Sequence, residues 1–377
     1  MVDSSTVFGF PEISLKPIVA ELAGEPVRSF RMEWRHEKRG PNGICGEYLI
    51  PTFVYTTNSN RTGEADVFVR RPNKKRLGTD QACHYAYLQG AGVPVPKVYG
   101  ALKDEEGREV LFLEHLREVT TSDEEFWRNR HHFESLLSLL ARFNAVAPSP
   151  EYIGRIGRAM AYRGVSTIEC WNLWLPFSVH MLHKVWKHAV DGSVGSKLKN
   201  FCSQGTERLD KLQILAFRLL RPVNSLESGL THGDLHPGNV GWRGTNDDLV
   251  LFDFEDIMIA TKLYDAAMCL GAPEDFGAYP CPRRDLAQYY LEQSRMAGGS
   301  PLSIDRFLED LLMIWFARKI NLWELLPPDL DGPPYESIDP GQTREGRCEK
   351  LFRLLGTLCR QIPTIGEILA QPARPSA

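Results

Sequence analysis

The sequence predicts an α+β protein of two lobes, a small β-rich lobe over residues 1–116 and a larger helical lobe over 117–377. Three observations carry this. Runs of β-branched and aromatic residues crowd the first part of the chain, and apolar residues recur at helical spacing after it. One clear β signal, "NVGWR…LVLFDF" (239–254), then interrupts the helical part. At 377 residues the chain is too long for one small core and fits two or three packed units.

The elements follow in order. "RSFRMEWRHEKR" (28–39) and "GEYLIPTFVYTT" (46–57) are strand-like and flank the turn-forming "GPNGICG" (40–46). "ADVFVRR" (65–71) is a further strand, closed by Pro72 and Asn73. "GTDQACHYAYLQGAG" (78–92) is expected as a short helix ending at glycines, after which "VPVP" forces extended chain. "KVYGALK" and "EVLFLEHL" form a predicted hairpin around "DEEG" (104–107), giving roughly five strands and one helix in about 115 residues. Beyond them, Ser122 and Glu125 form a capping box that opens an expected helix to about Ala145. Its Phe133, Leu136, Leu137, Leu140 and Phe143 share one face, and further helices are expected near 170–190, 195–220, 283–297 and 304–326.

Composition excludes several function classes. Hydrophobic residues are 43% and charged residues 24%, the balance of a globular protein, and the net charge of −4 supplies no basic field for nucleic acid. No apolar run approaches the ~18 residues of a membrane span, and the opening stretch lacks the pattern of a secretory signal. Eight cysteines without a C-x-x-C pair argue against a disulfide framework or a zinc ribbon. The expectation is a cytoplasmic protein that binds neither nucleic acid nor membrane.

The chemistry concentrates at "THGDLHPGN" (231–239) and "FDFED" (252–256). If "NVGWR" and "LVLFD" pair with equal arms, Asn239 stands opposite Asp253 at the open end of a hairpin, and Asp234 lies five residues earlier on a tightened loop. Two carboxylates and a carboxamide then converge as hard oxygens, a set that suits Mg²⁺ with water and phosphate completing its shell. A competing reading uses His232, Asp234 and His236 as zinc or iron ligands. It needs the two histidines on one helical face, and Pro237-Gly238 argues against a helix. Asp and Asn also simply make turns at hairpin ends, which suffices for any one of these residues alone but poorly for the set.

"HGDLHPGN" followed by "LFDFED" resembles the motif pair of the aminoglycoside phosphotransferase and choline-kinase-like family, small-molecule kinases with the two-lobed protein-kinase fold. The first motif is similar to the kinase catalytic loop, with Gly233 in place of Arg and the same Asp-to-Asn spacing. The resemblance implies Asp234 as catalytic base and Asn239 and Asp253 as the ligands of Mg²⁺ bridging the phosphates of ATP or GTP. It implies that "VFVRR" is the strand of the phosphate-pairing cation, that "LFLEHL" (111–116) is the hinge where backbone groups of Glu114 and Leu116 meet the adenine edge, and that Asp265 in "YDAAMCLG" supports the catalytic loop. "LLARFNAV" (139–146) is similar to the helix after the hinge, with Asn144 where a His is common. The likeness runs from about residue 40 to 270.

Three departures stand out. The strand cation is Arg70 or Arg71 instead of Lys; alternation favours Arg70, because Phe68 then points the same way and can stack on the nucleobase. Gln81 takes the helix position of the partner Glu. The phosphate-covering loop reads G-x-x-G-x-x-G (Gly40, Gly43, Gly46) where G-x-G-x-x-G is usual, with Gly43 and Gly46 as nucleotide-binding candidates. Only eleven residues separate Asp253 from Asp265, too few for the activation segment on which protein kinases bind peptides. The acceptor is therefore expected to be a small-molecule hydroxyl compound in the helical lobe, with Trp171, Trp174, Trp315, Trp323 and Glu324 as contact candidates. The expected activity is Mg²⁺-dependent transfer of a nucleoside triphosphate's γ-phosphoryl group; the alternative is a degenerate kinase fold that binds or regulates without turnover.

Overall fold

The computed structural model describes residues 7–35, 47–72, 81–119, 128–162, 227–243, 248–274 and 279–319. Contacts divide the chain into two compact units. One is Met1–Gly164 with His232–Met258 and Glu292–Gly299; the other is Val165–Thr231 with Ile259–Leu291 and Ser300–Ala377.

The first unit is built on an antiparallel sheet. Strands β1 (Val27–Glu33), β3 (Thr52–Thr57), β4 (Thr62–Arg71), β6 (Glu109–Glu114) and β5 (Val98–Lys103) are hydrogen-bonded in that order, and β2 (Glu47–Leu49) pairs with β4. Pro51 separates β2 from β3, so the predicted strand 46–57 is two, because proline cannot donate to the ladder. On β4, Val67 and Val69 are fully buried and join Val110 and Phe112 of β6 in the core, so Phe68 and Arg70 face the opposite side with Leu111 and Leu113.

That core is closed by a helix the sequence reading did not foresee, α1 (Glu12–Ala23), whose Leu15, Ile18 and Val19 pack with Val27, Phe53 and Phe112. Pro17 inside it masked the signal, since an interior proline usually argues against a helix. The hairpin turn after β5 is held by Asp104, whose carboxylate accepts from the main-chain N–H groups of Glu106 and Arg108 and from Arg108 Nε at 2.7 Å.

Helix α2 (Gln81–Gly90) lies between β4 and β5, and β7 (Arg117–Val119), α3 (Arg130–Asn144) and α4 (Pro150–Tyr162) come after β6. The expected capping residues Ser122 and Glu125 lie outside the described residues. Helix α3 is capped by Asn129, whose side chain accepts from the His132 N–H at 3.2 Å. Its buried face carries Phe133, Leu136, Leu137, Leu140 and Phe143 as the spacing required.

Strands β9 (Val240–Arg243) and β10 (Asp248–Leu251) form the expected antiparallel hairpin, and β7 adds to β9. The register differs from the equal-armed reading by one residue. Val240 pairs with Leu251, and the Phe252 N–H donates to the Asn239 carbonyl at 3.1 Å, so Asn239 stands opposite Phe252 and not Asp253.

In the second unit, β8 (Ser228–Thr231) pairs with β11 (Met258–Thr261), two short strands beyond the one hairpin expected. Helices α5 (Tyr264–Leu270), α6 (Arg283–Met296, assigned to this unit as far as Leu291) and α7 (Ile304–Lys319) follow. The Tyr290 and Phe307 rings stack at 5.3 Å, and a Cβ on Gly271 would meet Trp315 Cβ at 2.4 Å, which places Trp315 in packing. The segments expected as helices at 170–190 and 195–220 lie outside the described residues, as do Trp171, Trp174, Trp323 and Glu324.

Candidate active site

The loop after β8 shows why its residues are what they are. Gly233 has φ +85°, and a Cβ there would stand 2.0 Å from the Asp256 carbonyl oxygen, so no side chain is accommodated. His232 is fully buried; it donates through Nε2 to the Phe252 carbonyl at 2.8 Å and its ring lies 4.9 Å from that of Phe254. This histidine joins the two motif segments from beneath. Asp234 is the exposed member, its side chain 45% accessible, with His236 Nε2 at 3.9 Å from Oδ2. Among the described residues no three His, Cys, Asp or Glu side chains gather closely enough to hold a metal.

Asn239 closes a one-turn 3₁₀ helix, Pro237–Asn239, and is 5% exposed. Its Nδ2 donates to the Asp234 carbonyl at 2.7 Å. That bond fixes the carboxamide with nitrogen toward the loop and oxygen directed away from it. The same residue accepts from the Phe252 N–H, so one asparagine ties the Asp234 loop to the segment carrying Asp253.

Asp253 has φ 64° and ψ 61°, a left-handed conformation that costs a non-glycine residue about 1 kcal/mol. Two contacts hold it there. Its N–H donates to the Tyr85 hydroxyl at 3.1 Å, and its Oδ1 accepts from Arg70 Nη1 at 2.6 Å. Tyr85 is 1% exposed on α2, its ring edge-on to Phe254 at 5.3 Å. Burial, then the Asp253 charge, pushes its phenol well above the ordinary range, so it remains a hydroxyl. The sequence reading missed Tyr85. The only available signal was its polar tip on the inner side of a helix already expected to face the site.

The choice between the two arginines is resolved by strand alternation. Arg70 is largely buried and faces Asp253. Arg71 points the other way, pairs with Glu47 and lies over the Phe8 ring at 4.3 Å. Phe68, on the Arg70 side, stacks with Tyr48 at 5.4 Å. Gln81 does not hold Arg70: it is 3% exposed, and neither its Nε2 nor its Oε1 has a hydrogen-bond partner. Gln81, Arg70, Pro72, Glu109 and Leu111 line one narrow notch.

At the end of β6 the Glu114 N–H donates to the Lys97 carbonyl at 2.8 Å. The Glu114 carboxylate is gripped by Arg243 through Nε at 2.9 Å and Nη2 at 2.7 Å, and this bidentate partner holds the guanidinium in its charged form. Leu116 is 8% exposed. Gly43 and Gly46 lie outside the described residues. In the second unit, Asp265 is fully buried in the first turn of α5; burial, then the Asp265 charge, pushes the Cys269 thiol up.

A family model described as the phosphotransferase enzyme family matches residues 52–301. No curated protein matches. Among solved structures, an ethanolamine kinase of Plasmodium vivax is similar at 15% identity, with 86% of this chain and 83% of that chain covered and a TM-score of 0.53. At that identity the likeness shows a shared fold, the kinase-like one with an antiparallel sheet in its N-terminal part. A spectinomycin phosphotransferase in complex with ADP and spectinomycin aligns at 13% identity over 96% and 98% of the two chains, TM-score 0.47. An aminoglycoside-3'-phosphotransferase of type VIII aligns at 18% identity over 77% and 93%, TM-score 0.41.

Proposed function

From the premise that this chain belongs to the phosphotransferase enzyme family, we propose that it transfers the γ-phosphoryl group of ATP or GTP to a hydroxyl of a small-molecule acceptor with the help of Mg²⁺. Membership makes it an enzyme that phosphorylates hydroxyl groups of small molecules. The donor, the metal and the residue roles are our reading, and one observation carries them. Asn239 links the Asp234 loop to the Asp253 segment while directing its carboxamide oxygen away from the bond that fixes it.

The donor set fits a hard divalent cation. Asp253 would offer a carboxylate and Asn239 its carboxamide oxygen, both of the type Mg²⁺ takes. When bound, the metal would neutralise phosphate charge and orient the chain for in-line displacement. The protein's own part is positioning. Asp234, the exposed carboxylate, would accept the acceptor hydroxyl's proton as oxygen attacks the γ-phosphorus, and the nucleoside diphosphate leaves. Arg70 would pair the phosphates through its fork once released from Asp253. The Phe68 face, the Glu114 carbonyl and the Leu116 N–H would seat the base, and Gly43 and Gly46 would let main chain approach the phosphates. In this reading residues 1–116 supply the nucleotide lobe and 117–377 the catalytic loop and acceptor site, in the cytoplasm.

One observation favours a second reading. Arg70 rests on the proposed metal ligand and not on Gln81, the arrangement expected of a kinase fold that binds without turnover. The test is nucleoside diphosphate release from Mg·ATP and Mg·GTP with a panel of amino alcohols, amino sugars, sugars and hydroxy acids. Acceptor-dependent release that vanishes on chelation supports the transferase. Nucleotide binding with no release on any hydroxyl compound favours the second reading.

A further inference from the structure

We propose that Arg243 is a positioning residue for the nucleobase: by gripping the Glu114 carboxylate and the Val95 carbonyl together, it fixes the main chain of residues 114–116 against β9, the strand that starts directly after Asn239. The inference rests on the reading of the Glu114 carbonyl and the Leu116 N–H as the groups that meet the base edge.

One guanidinium joins three segments. Arg243 ends β9; its Nε donates to Glu114 Oε1 at 2.9 Å, and its Nη2 donates to Glu114 Oε2 and to the Val95 carbonyl, both at 2.7 Å. Glu114 Oε2 also accepts from the Lys97 N–H at 3.0 Å, so both carboxylate oxygens are engaged. Strand alternation puts Gly241 on the same face of β9 as Arg243. A Cβ there would stand 2.9 Å from Leu116 Cδ1, so Leu116 rests where β9 carries no side chain. The partner strand reaches the same linker, because the Leu251 N–H of β10 donates to the Pro94 carbonyl at 3.0 Å.

Exposure separates this role from a contribution to folding. The Arg243 side chain is 40% accessible and that of Glu114 22%, and an ion pair so open to solvent adds little to stability. Its geometry is nevertheless specific. A planar fork fixes both the distance and the orientation of its partners, which a lysine ammonium does not. A Glu114 side chain held in this way holds its own carbonyl, and Leu116 is two residues further on. From Val240 to Arg243, β9 spans only about 10 Å at the rise of a strand. The clasp therefore sets the spacing between the groups proposed for the base and the asparagine proposed for the metal. Within a nucleotide the distance from base to phosphates is bounded, and a protein spacing made to match it lets both ends be held at once.

The experiment combines calorimetric titration with Mg·ATP, displacement of bound ATP by Mg·tripolyphosphate, and thermal unfolding and amide hydrogen exchange of the ligand-free protein. It uses the wild type, Arg243→Met, Arg243→Lys, Glu114→Gln and the double variant of Arg243→Met with Glu114→Gln. Arg243→Met keeps the aliphatic stem and loses the fork. We expect it to exchange faster at the amides of 114–116 and to bind Mg·ATP about tenfold more weakly, the worth of one hydrogen bond to the base. Its tripolyphosphate affinity and unfolding midpoint should stay near wild type, whereas loss of a purely structural side chain would weaken both ligands and lower the midpoint. Arg243→Lys should behave as Arg243→Met does. The double variant should be no weaker than Arg243→Met alone, because the two side chains act as one unit. Unchanged exchange or unchanged Mg·ATP affinity in Arg243→Met, an equal loss for tripolyphosphate, restoration by lysine, or losses that add in the double variant each overturn the proposal while leaving the base reading in place. A wild type that tripolyphosphate and ATP fill equally well removes the base reading itself and the proposal with it.

Discussion

Tyr85→Phe deletes one oxygen and isolates what that oxygen does for Asp253. The ring and its edge contact with Phe254 remain, so core packing is kept. Lost is the 3.1 Å bond to the Asp253 N–H, at a tyrosine 1% exposed. A neutral hydrogen bond is worth about 1 kcal/mol, and a partly buried N–H left without a partner adds to that, giving about 1–2 kcal/mol. The left-handed conformation of Asp253 itself stores about 1 kcal/mol, so the loss is comparable to what keeps the residue in place. A shift of about 1.4 kcal/mol is tenfold in population. Mg·ATP affinity measured by calorimetry should therefore fall about tenfold, with the unfolding midpoint lower by a few degrees. Wild-type Mg·ATP affinity in Tyr85→Phe would refute the claim that this hydroxyl positions Asp253.

Three further outcomes are expected. Asp234→Asn should reduce turnover by about 10³-fold, within the range of a lost general base, while Mg·ATP binding measured by calorimetry stays near wild type. Gly233→Ala should be among the most destabilising single substitutions: left-handed strain costs about 1 kcal/mol, and the overlap of its Cβ with the Asp256 carbonyl, 2.0 Å away, adds about 1–3 kcal/mol more; denaturant titration reads this. Asp104→Ala should cost about 2 kcal/mol at neutral pH, and that cost should fade in acid. Burial opposes ionisation of Asp104, but the Arg108 main-chain and side-chain bonds outweigh it and hold the carboxyl below its ordinary 3.8. A lowered pKa gives stability that is present above 3.8 and lost as pH falls through the folded value, so wild type and variant should converge there.

The site was legible where chemistry sits close in sequence. Asp234 and Asn239 fall on one loop and Asp253 two residues past β10, and strand alternation alone separated Arg70 from Arg71. Contacts between distant residues were not legible. Tyr85 and Asp253 are 168 residues apart, Arg70 and Asp253 183, and Glu114 and Arg243 129, and no local pattern encodes such pairs. The hairpin register slipped by one because pairing was read outward from equal arms, whereas Asn239 belongs to a 3₁₀ turn that precedes β9. Helix α1 was hidden by Pro17, although Leu15, Ile18 and Val19 beside it fill the core. In each case tertiary packing overrode a local rule.

The central claim is that Asp253 and Asn239 hold a divalent cation against nucleotide phosphate. It is tested most directly by calorimetric titration of wild type and Asp253→Ala with ATP and with GTP, each with Mg²⁺ present and then chelated. At least one nucleotide should bind the wild type in a Mg²⁺-dependent way, and that dependence should be lost in Asp253→Ala. Equal binding with and without Mg²⁺, or a metal dependence that survives Asp253→Ala, would contradict it.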